Sequence, residues 1–431
     1  MRSILPTIAL ASFALGGGAA TTAGELSAVE RQIAQHAAAS SGPALELLER
    51  TVNINSGTLN FAGVREVGAI MSAEFEALGF SSRWIDGAEF ERAGHLVAEH
   101  PGDSPHVLLI GHLDTVFEPD SPFQRFERLD REAARGPGTT DMKGGNVVML
   151  FALKALQAAG VLDGMHLTVV MTGDEEKSGR PLSAARRVLL EVNADVALGF
   201  EDGDSNPRTA VIARRGASGW TLRVTGVPAH SSQVFTEEVG AGAIYEAARI
   251  LTEFRQRLAD ETDLTFNPGV ILGGTDVDFD STAARGTAFG KSNIVAEHAV
   301  VSGDIRALSP EQYTRAKEIM QAVAAEPLPQ TEAELTFFDG YPPLAATDAN
   351  RELLALYSAA SEDLGLGPVT AVDPRKAGAA DVSFVSGRVP RILDGIGLMG
   401  RGGHTVDETA DLTTLPSQTQ RAALLIYRLT R

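Results

Sequence analysis

The chain has 431 residues, 44% of them hydrophobic, which is a globular composition at a length sufficient for two domains. It contains no cysteine, so disulfides, thiolate metal ligands and cysteine nucleophiles are excluded, and histidine and carboxylate groups must hold any metal ion. The formal net charge of −19 argues against nucleic acid or an anionic membrane as a partner. It does not argue against a small anionic substrate, because local cationic groups can dominate a pocket.

The N-terminus, residues 1–23, has the pattern of a secretory signal peptide. Arg2 precedes an apolar run at residues 4–15, and small residues follow as far as Ala23. About 12 apolar residues are too few to span a bilayer, which disfavours the alternative of a membrane anchor. We expect cleavage near Ala20 or Ala23 and a mature protein that is secreted or periplasmic and has no membrane contact.

Apolar periodicity predicts alternating helices and strands after the signal peptide. In chain order we predict helices at residues 43–52 and 64–78, strands at 95–100 and 106–110, a helix at 146–159, and strands at 166–171 and 195–200. Three of these strands are predicted to be buried, and each is followed by acidic or histidine residues. In open α/β sheets, sites form beyond the carboxyl ends of the strands, so we expect these residues to converge.

The strand at residues 106–110 is a continuous apolar run, as expected for a strand buried on both faces. It delivers His112 and Asp114, which lie two residues apart and therefore on the same side of an extended chain. An imidazole that binds a metal usually has its other nitrogen held by a carboxylate. A His-x-Asp pair at the end of a buried strand fits that requirement.

Glu175 and Glu176 follow the strand at residues 166–171, which Gly173 ends. Neighbouring side chains of an extended chain point to opposite sides, so the two carboxylates can have different tasks. One can bind a metal while the other receives the proton of a metal-activated water. The alternative is that both glutamates are simply exposed to solvent. A functional role is favoured over this alternative only if further metal ligands are found elsewhere in the chain.

Glycines surround Asp141 on both sides, and such a segment permits tight backbone near a site. Simple capping of the following helix by Asp141 is the alternative, although it leaves the density of glycine unexplained. The strand at residues 195–200 ends in Glu201 and Asp202, and either carboxylate fits a role as a ligand.

The pattern changes after Gly216. We predict a strand at residues 220–225, a helix at 239–258, strands at 265–274 and 291–306, a helix at 310–324 and a strand at 334–338. This β-α-β-β-α-β order predicts an antiparallel sheet covered by two helices. The predicted divisions are a signal peptide at 1–23, a catalytic domain at 24–216 and 340–431, and an inserted domain at 217–339.

Taken together, the motifs resemble those of the M20 family of co-catalytic zinc metallopeptidases and deacylases. The resemblance rests on His112-Leu113-Asp114, the glycine-rich segment 138–145 around Asp141, Glu175-Glu176, Glu201 and Gly403-His404. It runs from about residue 43 to the C-terminus, and the motifs in this order and spacing are highly specific. It implies a zinc-exopeptidase-like α/β catalytic domain, with a mostly parallel mixed sheet flanked by helices, and an inserted α+β ferredoxin-like lid domain that mediates dimerisation.

The resemblance also implies two zinc ions per subunit, held by His112, Asp141, Glu176, Glu201 and His404. Asp141 would bridge the ions. His112 and Glu201 would bind one ion, and Glu176 and His404 the other. All of these groups are oxygen or imidazole donors, as a zinc site without cysteine requires.

The roles of the remaining site residues are carried over from the same family. Glu175 would be the general base, and Asp114 would orient His112. His230 would reach the active site of the partner subunit and stabilise the tetrahedral oxyanion. Asn293 and Arg306, on strands of the lid, would hold the carboxylate of the substrate, for which arginine is well suited.

Two departures from the family pattern concern the substrate. Tyr341 stands where the glutamate-releasing branch of the family has arginine, and Gly378-Ala379-Ala380-Asp381 stands where the family often has Gly-Gly-Thr-Asp. An acidic C-terminal residue is therefore not assured as the preferred substrate. Arg208, Arg214 or Arg215 could supply a replacement cation, although the last two fit equally well as surface residues at a strand edge.

These features indicate a homodimeric di-zinc exopeptidase of the carboxypeptidase type. It would cleave the amide next to a free carboxylate in a small peptide or N-acyl amino acid, with Glu175 as general base. One alternative is an N-acyl amino acid deacylase of the same family. Another is a zinc-dependent binding protein without catalysis, which the presence of Glu175 beside the ligands disfavours because binding needs no base.

Overall fold

The computed structural model describes residues 25–281 and 284–431. The predicted signal peptide at residues 1–23 lies outside this range. We find no helix in these two described stretches with the length and apolar character needed to cross a membrane.

Helices and strands alternate along the described chain. The α-helices are α1 (Ala28–Ala39), α2 (Ser41–Val52), α3 (Phe61–Glu76), α4 (Lys143–Ala158), α5 (Leu182–Ala185), α6 (Arg187–Leu190), α7 (Ala243–Leu258), α8 (Pro310–Ala324), α9 (Asp348–Asp363) and α10 (Thr414–Leu429). The strands of the first half are β1 (Ser81–Asp86), β2 (Gly94–His100), β3 (Val107–His112), β4 (Glu127–Arg128), β5 (Ala133–Arg135), β6 (Leu167–Thr172), β7 (Val196–Gly199) and β8 (Thr209–Ala210). The strands of the second half are β9 (Ala217–Gly226), β10 (Thr265–Gly274), β11 (Asp276–Asp280), β12 (Arg285–Phe289), β13 (His298–Arg306), β14 (Thr331–Tyr341), β15 (Thr370–Ala371), β16 (Arg391–Leu393), β17 (Gly400–Arg401) and β18 (Thr409–Asp411).

A six-stranded mixed sheet in the order β1-β2-β6-β3-β7-β16 forms the centre of the larger body. Strands β6, β3, β7 and the edge strand β16 run parallel, while β1 and β2 are antiparallel to their neighbours. The prediction of an α/β fold with a mostly parallel mixed sheet is therefore confirmed. Because β6, β3 and β7 are parallel neighbours, their carboxyl ends meet at one edge of the sheet.

Both faces of the central sheet are covered, as the apolar run in β3 predicts. Leu109 belongs to a large apolar cluster with residues of α1, α2, α4 and α10, whereas Leu108 and Ile110 belong to a separate cluster on the other face. The alternation of side chains along a strand produces this division. It places the loops that follow β3, β6 and β7 on a rigid, fully buried base.

A four-stranded antiparallel sheet, in the order β10-β13-β9-β14, forms separately from residues 217–341. Trp220, Leu222 and Val224 of β9 are buried in one apolar cluster with residues of α7 and α8. The intervening residues of β9 face away from these helices. The predicted β-α-β-β-α-β order is present here, whereas the exact domain boundaries stay a prediction.

Two details of this sheet differ from the predictions. The strand predicted at residues 291–306 begins only at His298, because the preceding backbone bonds to another segment instead of the sheet. The N–H of Ser231 donates to the Asn293 carbonyl at 2.9 Å, and the N–H of Val295 donates to the Ala229 carbonyl at 2.8 Å. In addition, β11 and β12 form a hairpin that was not predicted.

Candidate metal centre

Five predicted ligands come together at the carboxyl edge of the central sheet. His112 ends β3, Glu176 follows β6, and Glu201 follows β7. Asp141 immediately precedes Met142, which is the N-cap residue of α4. No side chain forms a capping hydrogen bond at this helix end, so helix capping does not explain Asp141. The loop that contains His404 completes the group from the C-terminal part of the chain.

Asp141 lies between two sets of donor atoms. Its Oδ1 is 3.0 Å from Nε2 of His112, which in turn is 3.7 Å from Oε1 of Glu201. Its Oδ2 is 2.8 Å from Nε2 of His404, which is 3.0 Å from Oε2 of Glu176. The ligand atoms within each set lie within 4.8 Å of one another, which is a suitable spacing for one cation per set.

The two adjacent carboxylates, Glu201 and Asp202, lie in different surroundings. Glu201 belongs to the set around His112, and Asp202 does not. The carboxylate of Asp202 instead accepts a hydrogen bond from the Ser205 hydroxyl at 3.5 Å. Within the described residues, Glu201 is therefore the candidate ligand.

The centre holds more acidic than basic groups, and this excess shifts the pKa values of its carboxylates. Burial, together with the nearby Asp141, raises the pKa of Glu176 to about 7. Burial also raises the pKa of Glu175 well above its usual range. Burial alone would raise the pKa of Asp141 too, but hydrogen bonds from His112 and His404 outweigh it and hold that pKa well below its usual range. Divalent cations would neutralise such a group of carboxylates.

Asp114 does more than orient His112. Its Oδ1 is 3.4 Å from Nδ1 of His112, and its backbone carbonyl is closer to the same nitrogen, at 3.1 Å. Its two oxygens also accept hydrogen bonds from the backbone N–H groups of Glu175 and Glu176, at 3.1 and 3.2 Å, and from the Thr58 hydroxyl at 2.7 Å. One fully buried carboxylate thus fixes the imidazole and the acidic loop relative to each other.

Glu408 performs a similar task for the loop of Asp141, and the sequence analysis missed it. Its buried carboxylate accepts hydrogen bonds from the backbone N–H groups of Gly138, Thr140 and Asp141 at 3.1, 2.8 and 3.2 Å. Glu408 lies four residues after His404. The carboxylate therefore joins the loops that carry two of the candidate ligands. The only signal in the sequence is an acidic residue close to His404.

Tyr341 supports the loop of the candidate general base instead of presenting a cation. Its hydroxyl donates to the carbonyl of Glu175 at 2.7 Å and accepts from Nη2 of Arg186 at 2.9 Å. The guanidinium of Arg186 is fully buried and also contacts the carboxylates of Asp174 and Asp381. Arg186 and Tyr341 thus hold the acidic loop from beneath.

The three candidate replacement cations lie in different surroundings. Arg214 is buried and pairs with Asp394 at 2.7 Å, so its interpretation as a surface residue was wrong. Asp394 in turn accepts the backbone N–H of Glu201 at 3.4 Å, which makes this ion pair a support for a candidate ligand. Arg215 is half-buried and donates to Thr265, and Arg208 is exposed.

The predicted lid residues fall into two separate places. His230 and Asn293 lie on adjacent segments, because the backbone of His230 forms an antiparallel β-bridge with Ile294, the residue after Asn293. His230 is exposed, and its Nδ1 is 2.9 Å from the Ser232 hydroxyl. Arg306 lies at the far end of β13, about 26 Å from His298 by the rise of a strand, and pairs with Asp304 at 3.0 Å. The structure does not bring Asn293 and Arg306 together within one chain.

Comparison with known proteins decides the family. The model of "Peptidase family M20/M25/M40" matches residues 108–428. The chain belongs to this family. The match covers β3, the candidate ligands and the four-stranded sheet, and it confirms the resemblance that the motifs indicate. The protein is accordingly a hydrolase of a peptidase family.

Individual relatives agree with this assignment. The chain is 27% identical over 395 residues to carboxypeptidase G2 from Pseudomonas sp. (strain RS-16), which covers 89% of each chain. It is 29% identical over 178 residues to a probable succinyl-diaminopimelate desuccinylase of Staphylococcus aureus (strain MRSA252), which covers 39% of this chain and 41% of that protein.

Solved structures share the fold. The aminopeptidase PepT from Bacillus cereus ATCC 10987 superposes with a TM-score of 0.71 at 19% identity, over 91% of this chain and 99% of that one. An M20 family metallo-carboxypeptidase from Sulfolobus solfataricus superposes with a TM-score of 0.63 at 16% identity, over 90% of this chain and 99% of that one.

The hydrogen bonds of Glu408 lead to a prediction about stability. Glu408→Ala leaves three buried N–H groups without their acceptor, so we expect the free energy of unfolding to fall by roughly 2–4 kcal/mol. Glu408→Gln keeps one acceptor oxygen and should lose less. Urea unfolding of the metal-free protein measures both changes, with Glu334→Ala on an exposed strand position as the control. A loss for Glu408→Ala no greater than the control would contradict this role.

Proposed function

We propose that this member of the M20 family is a di-zinc exo-hydrolase that cleaves the amide next to a free carboxylate in small peptides or N-acyl amino acids. The observation that supports it most is the position of Asp141, with one carboxylate oxygen toward each set of donors. A metal pair held by a shared carboxylate suits hydrolysis, in which an attacking water and a carbonyl must be handled together.

The donor set fits zinc. Two imidazoles and three carboxylates form the two groups, and zinc is commonly bound by such ligands. In addition, Oε1 of Glu176 is buried and has no hydrogen-bond partner among the described residues, although its other oxygen contacts His404. A buried carboxylate oxygen without a partner is costly, and a cation between the groups would satisfy it. Bound zinc ions would supply polarisation of the scissile carbonyl and acidification of a water.

Glu175 is placed to move the proton. Its backbone N–H donates a hydrogen bond to Asp114, and its carbonyl accepts one from the Tyr341 hydroxyl. These two bonds restrain the backbone of Glu175, so its carboxylate is not required to hold the loop in place. The carboxylate would take a proton from the attacking water and deliver it to the departing amine nitrogen. Glu176, the next residue, would bind metal, which divides the two tasks as the sequence predicts.

We further propose that the protein is an exported homodimer in which His230 acts on the partner subunit's site. His230 is exposed on the four-stranded sheet domain and lies outside both candidate ligand sets. The exposed rings of Phe235 and Tyr245, whose centroids are 5.5 Å apart, lie in the same domain and would be covered by a second copy. The signal-peptide pattern at residues 1–23 supports export.

Deacylation of N-acyl amino acids is the second candidate. It is favoured by the similarity to a probable succinyl-diaminopimelate desuccinylase, a relative named for removing an acyl group from an amine. A zinc-dependent binding protein without catalysis is disfavoured by the restrained backbone of Glu175. A panel of C-terminal amino acids on one acyl group, compared with a panel of acyl groups on one amino acid, separates peptidase from deacylase.

Metal content gives the first test of this proposal. We expect chelator-treated protein to lose activity and to regain it with zinc or cobalt, because the water and the carbonyl both depend on the metal. Metal analysis of the restored protein should find two ions per chain. At most one tightly bound ion per active chain would exclude the bridged pair.

The second test separates the adjacent glutamates. Glu175→Gln should keep the fold and both metals but lose at least about 10²–10⁴-fold in kcat, since it lacks the base. Glu176→Gln should instead weaken metal binding, as measured by competition with a chelator. Near-normal kcat in metal-loaded Glu175→Gln would show that the roles are assigned incorrectly.

The third test concerns His230. His230→Ala should bind both metals and lose about 10²–10³-fold in activity, the usual cost of one oxyanion donor. Mixed dimers of His230→Ala and Glu175→Gln, isolated with two affinity tags, should recover activity because one site then has an intact base and a histidine from the partner. Verified mixed dimers no more active than either parent would place His230 outside the partner's site.

A further inference from the structure

The chain crosses between the body of the central sheet and the four-stranded domain, built from residues 217–341, at two places. The two crossing segments, residues 214–217 and 341–344, run antiparallel, and together we call them the junction. Two backbone pairs hold them side by side: Arg214 with Leu344, and Ala217 with Tyr341. Because the chain has these two crossings, any change in the angle between the two bodies has to occur at the junction.

The two segments of the junction are in direct backbone contact. A Cβ added at Gly216 would lie 2.8 Å from both the Tyr341 carbonyl oxygen and the Pro343 nitrogen. A Cβ added at Gly340 would lie 1.9 Å from the Ala217 carbonyl oxygen. Only glycine permits so close an approach. A displacement of one segment therefore moves the other, and Tyr341 with it.

The side chain of Tyr341 joins the junction to the loop of the candidate general base. Its ring packs against Phe384, with the ring centroids 4.9 Å apart, and its hydroxyl donates to the Glu175 carbonyl at 2.7 Å. A second bond runs in the opposite direction, because Nη1 of Arg180 donates to the Asp339 carbonyl at 3.1 Å. The end of β14 is thus bonded directly to the loop that begins at Glu175.

A largely apolar pocket of about 380 Å³ lies beside Tyr341, where the two bodies meet. Leu182 and Leu190 line it from the body of the central sheet, and Ala307 and Tyr313 line it from the four-stranded domain. The contact between the bodies is therefore incompletely packed at this point. Domains joined by such a contact can move relative to each other, so the angle at the junction is free to change.

We propose that the four-stranded domain sets the position of the general base through the hydroxyl of Tyr341. Tyr341 is a positioning residue, because it acts on the reacting atoms through the backbone of Glu175. When the angle at the junction changes, the hydroxyl displaces the Glu175 carbonyl, and the carboxylate moves relative to the attacking water. A displacement of about 1 Å can lower a rate about 10²-fold. The inference rests on the proposed function, which it extends by naming how that site is regulated.

The hydroxyl is tested by Tyr341→Phe, which keeps the ring. Nη2 of Arg186, which also bonds to the hydroxyl, retains Asp174 and Ser178 as partners. We expect both metals to remain bound and KM to change by less than about 2-fold, while kcat falls about 10-fold because the base is less well placed. Tyr313→Phe, which removes another hydroxyl beside the same pocket, is the control and should leave kcat unchanged. A kcat of Tyr341→Phe equal to that of the control would overturn the proposal.

A double-mutant cycle tests whether the effect passes through the base. Glu175→Gln protein has no base to misplace, so adding Tyr341→Phe should lower its residual kcat by less than about 2-fold. A substitution that merely disturbed the site would lower the residual kcat by the same factor as in the enzyme with Glu175. Such additive losses would contradict the role of Tyr341 as a positioning residue.

The junction is tested by two matched glycine substitutions. Gly216→Ala pushes the crossing segments apart, because its methyl group would meet the Tyr341 carbonyl oxygen at 2.8 Å, whereas Gly219→Ala makes only an ordinary contact with Phe338 at 3.6 Å. We expect Gly216→Ala to lower kcat roughly 3- to 10-fold when Tyr341 is present, but less than about 2-fold in Tyr341→Phe protein. Gly219→Ala should leave kcat unchanged in both proteins. Equal losses from Gly216→Ala with and without the hydroxyl would show that the junction does not act through Tyr341.

Hydrogen exchange separates the inference from the proposed function, because it requires no turnover. In metal-loaded protein without substrate, Tyr341→Phe and Gly216→Ala should each speed the exchange of backbone amides at residues 175–179 and leave β6 protected. If the protein shows these changes but hydrolyses nothing, the coupling between the four-stranded domain and the loop stands and the proposed function fails. If it is a two-metal hydrolase in which both variants keep normal exchange and normal kcat, the coupling fails and the proposed function stands.

Discussion

Hydrogen bonds from backbone N–H groups to two buried carboxylates hold the candidate metal centre together. Asp114 fixes the loop of Glu175 and Glu176, and Glu408 fixes the loop of Asp141. The carboxylates of the two candidate donor sets repel one another, so the loops that carry them need further hydrogen bonds to hold their positions. Oriented N–H groups provide that support, because they stabilise the charge of the carboxylates that bind them.

Beneath these loops, buried arginines contact buried carboxylates. Arg186 lies between Asp174 and Asp381, and Arg214 pairs with Asp394 close to the backbone of Glu201. Buried ion pairs contribute little net stability, but removing one partner leaves an uncompensated buried charge, so the pairs restrain the groups that carry them. Here the ion pairs restrain Asp174, which precedes Glu175, and Asp394, which accepts a hydrogen bond from the backbone N–H of Glu201. The carboxylates of Glu175 and Glu201 themselves take no part in these pairs.

The sequence predicted the fold class from local periodicity, and the family resemblance of its motifs implied the candidate ligands. His112, Glu176 and Glu201 each follow a predicted strand, and the parallel order of β6, β3 and β7 then brings them to one edge. It did not predict the roles of Glu408 or Arg214, whose partners are remote in the chain: 270 residues separate Glu408 from Gly138, and 180 separate Arg214 from Asp394. Nor could it choose between Glu201 and Asp202, since adjacent residues share the same local pattern and only the direction of the side chain separates them.

The long separation between Gly138 and Glu408 also has a consequence for the order of assembly. Ribosomes produce the chain from its N-terminus, so β3, β6 and β7 emerge long before the segment with His404 and Glu408. Until that segment docks, the loop of Asp141 lacks its carboxylate acceptor and the second donor set lacks its imidazole. An incomplete chain therefore carries the donor set around His112 before the donor set around His404 is complete.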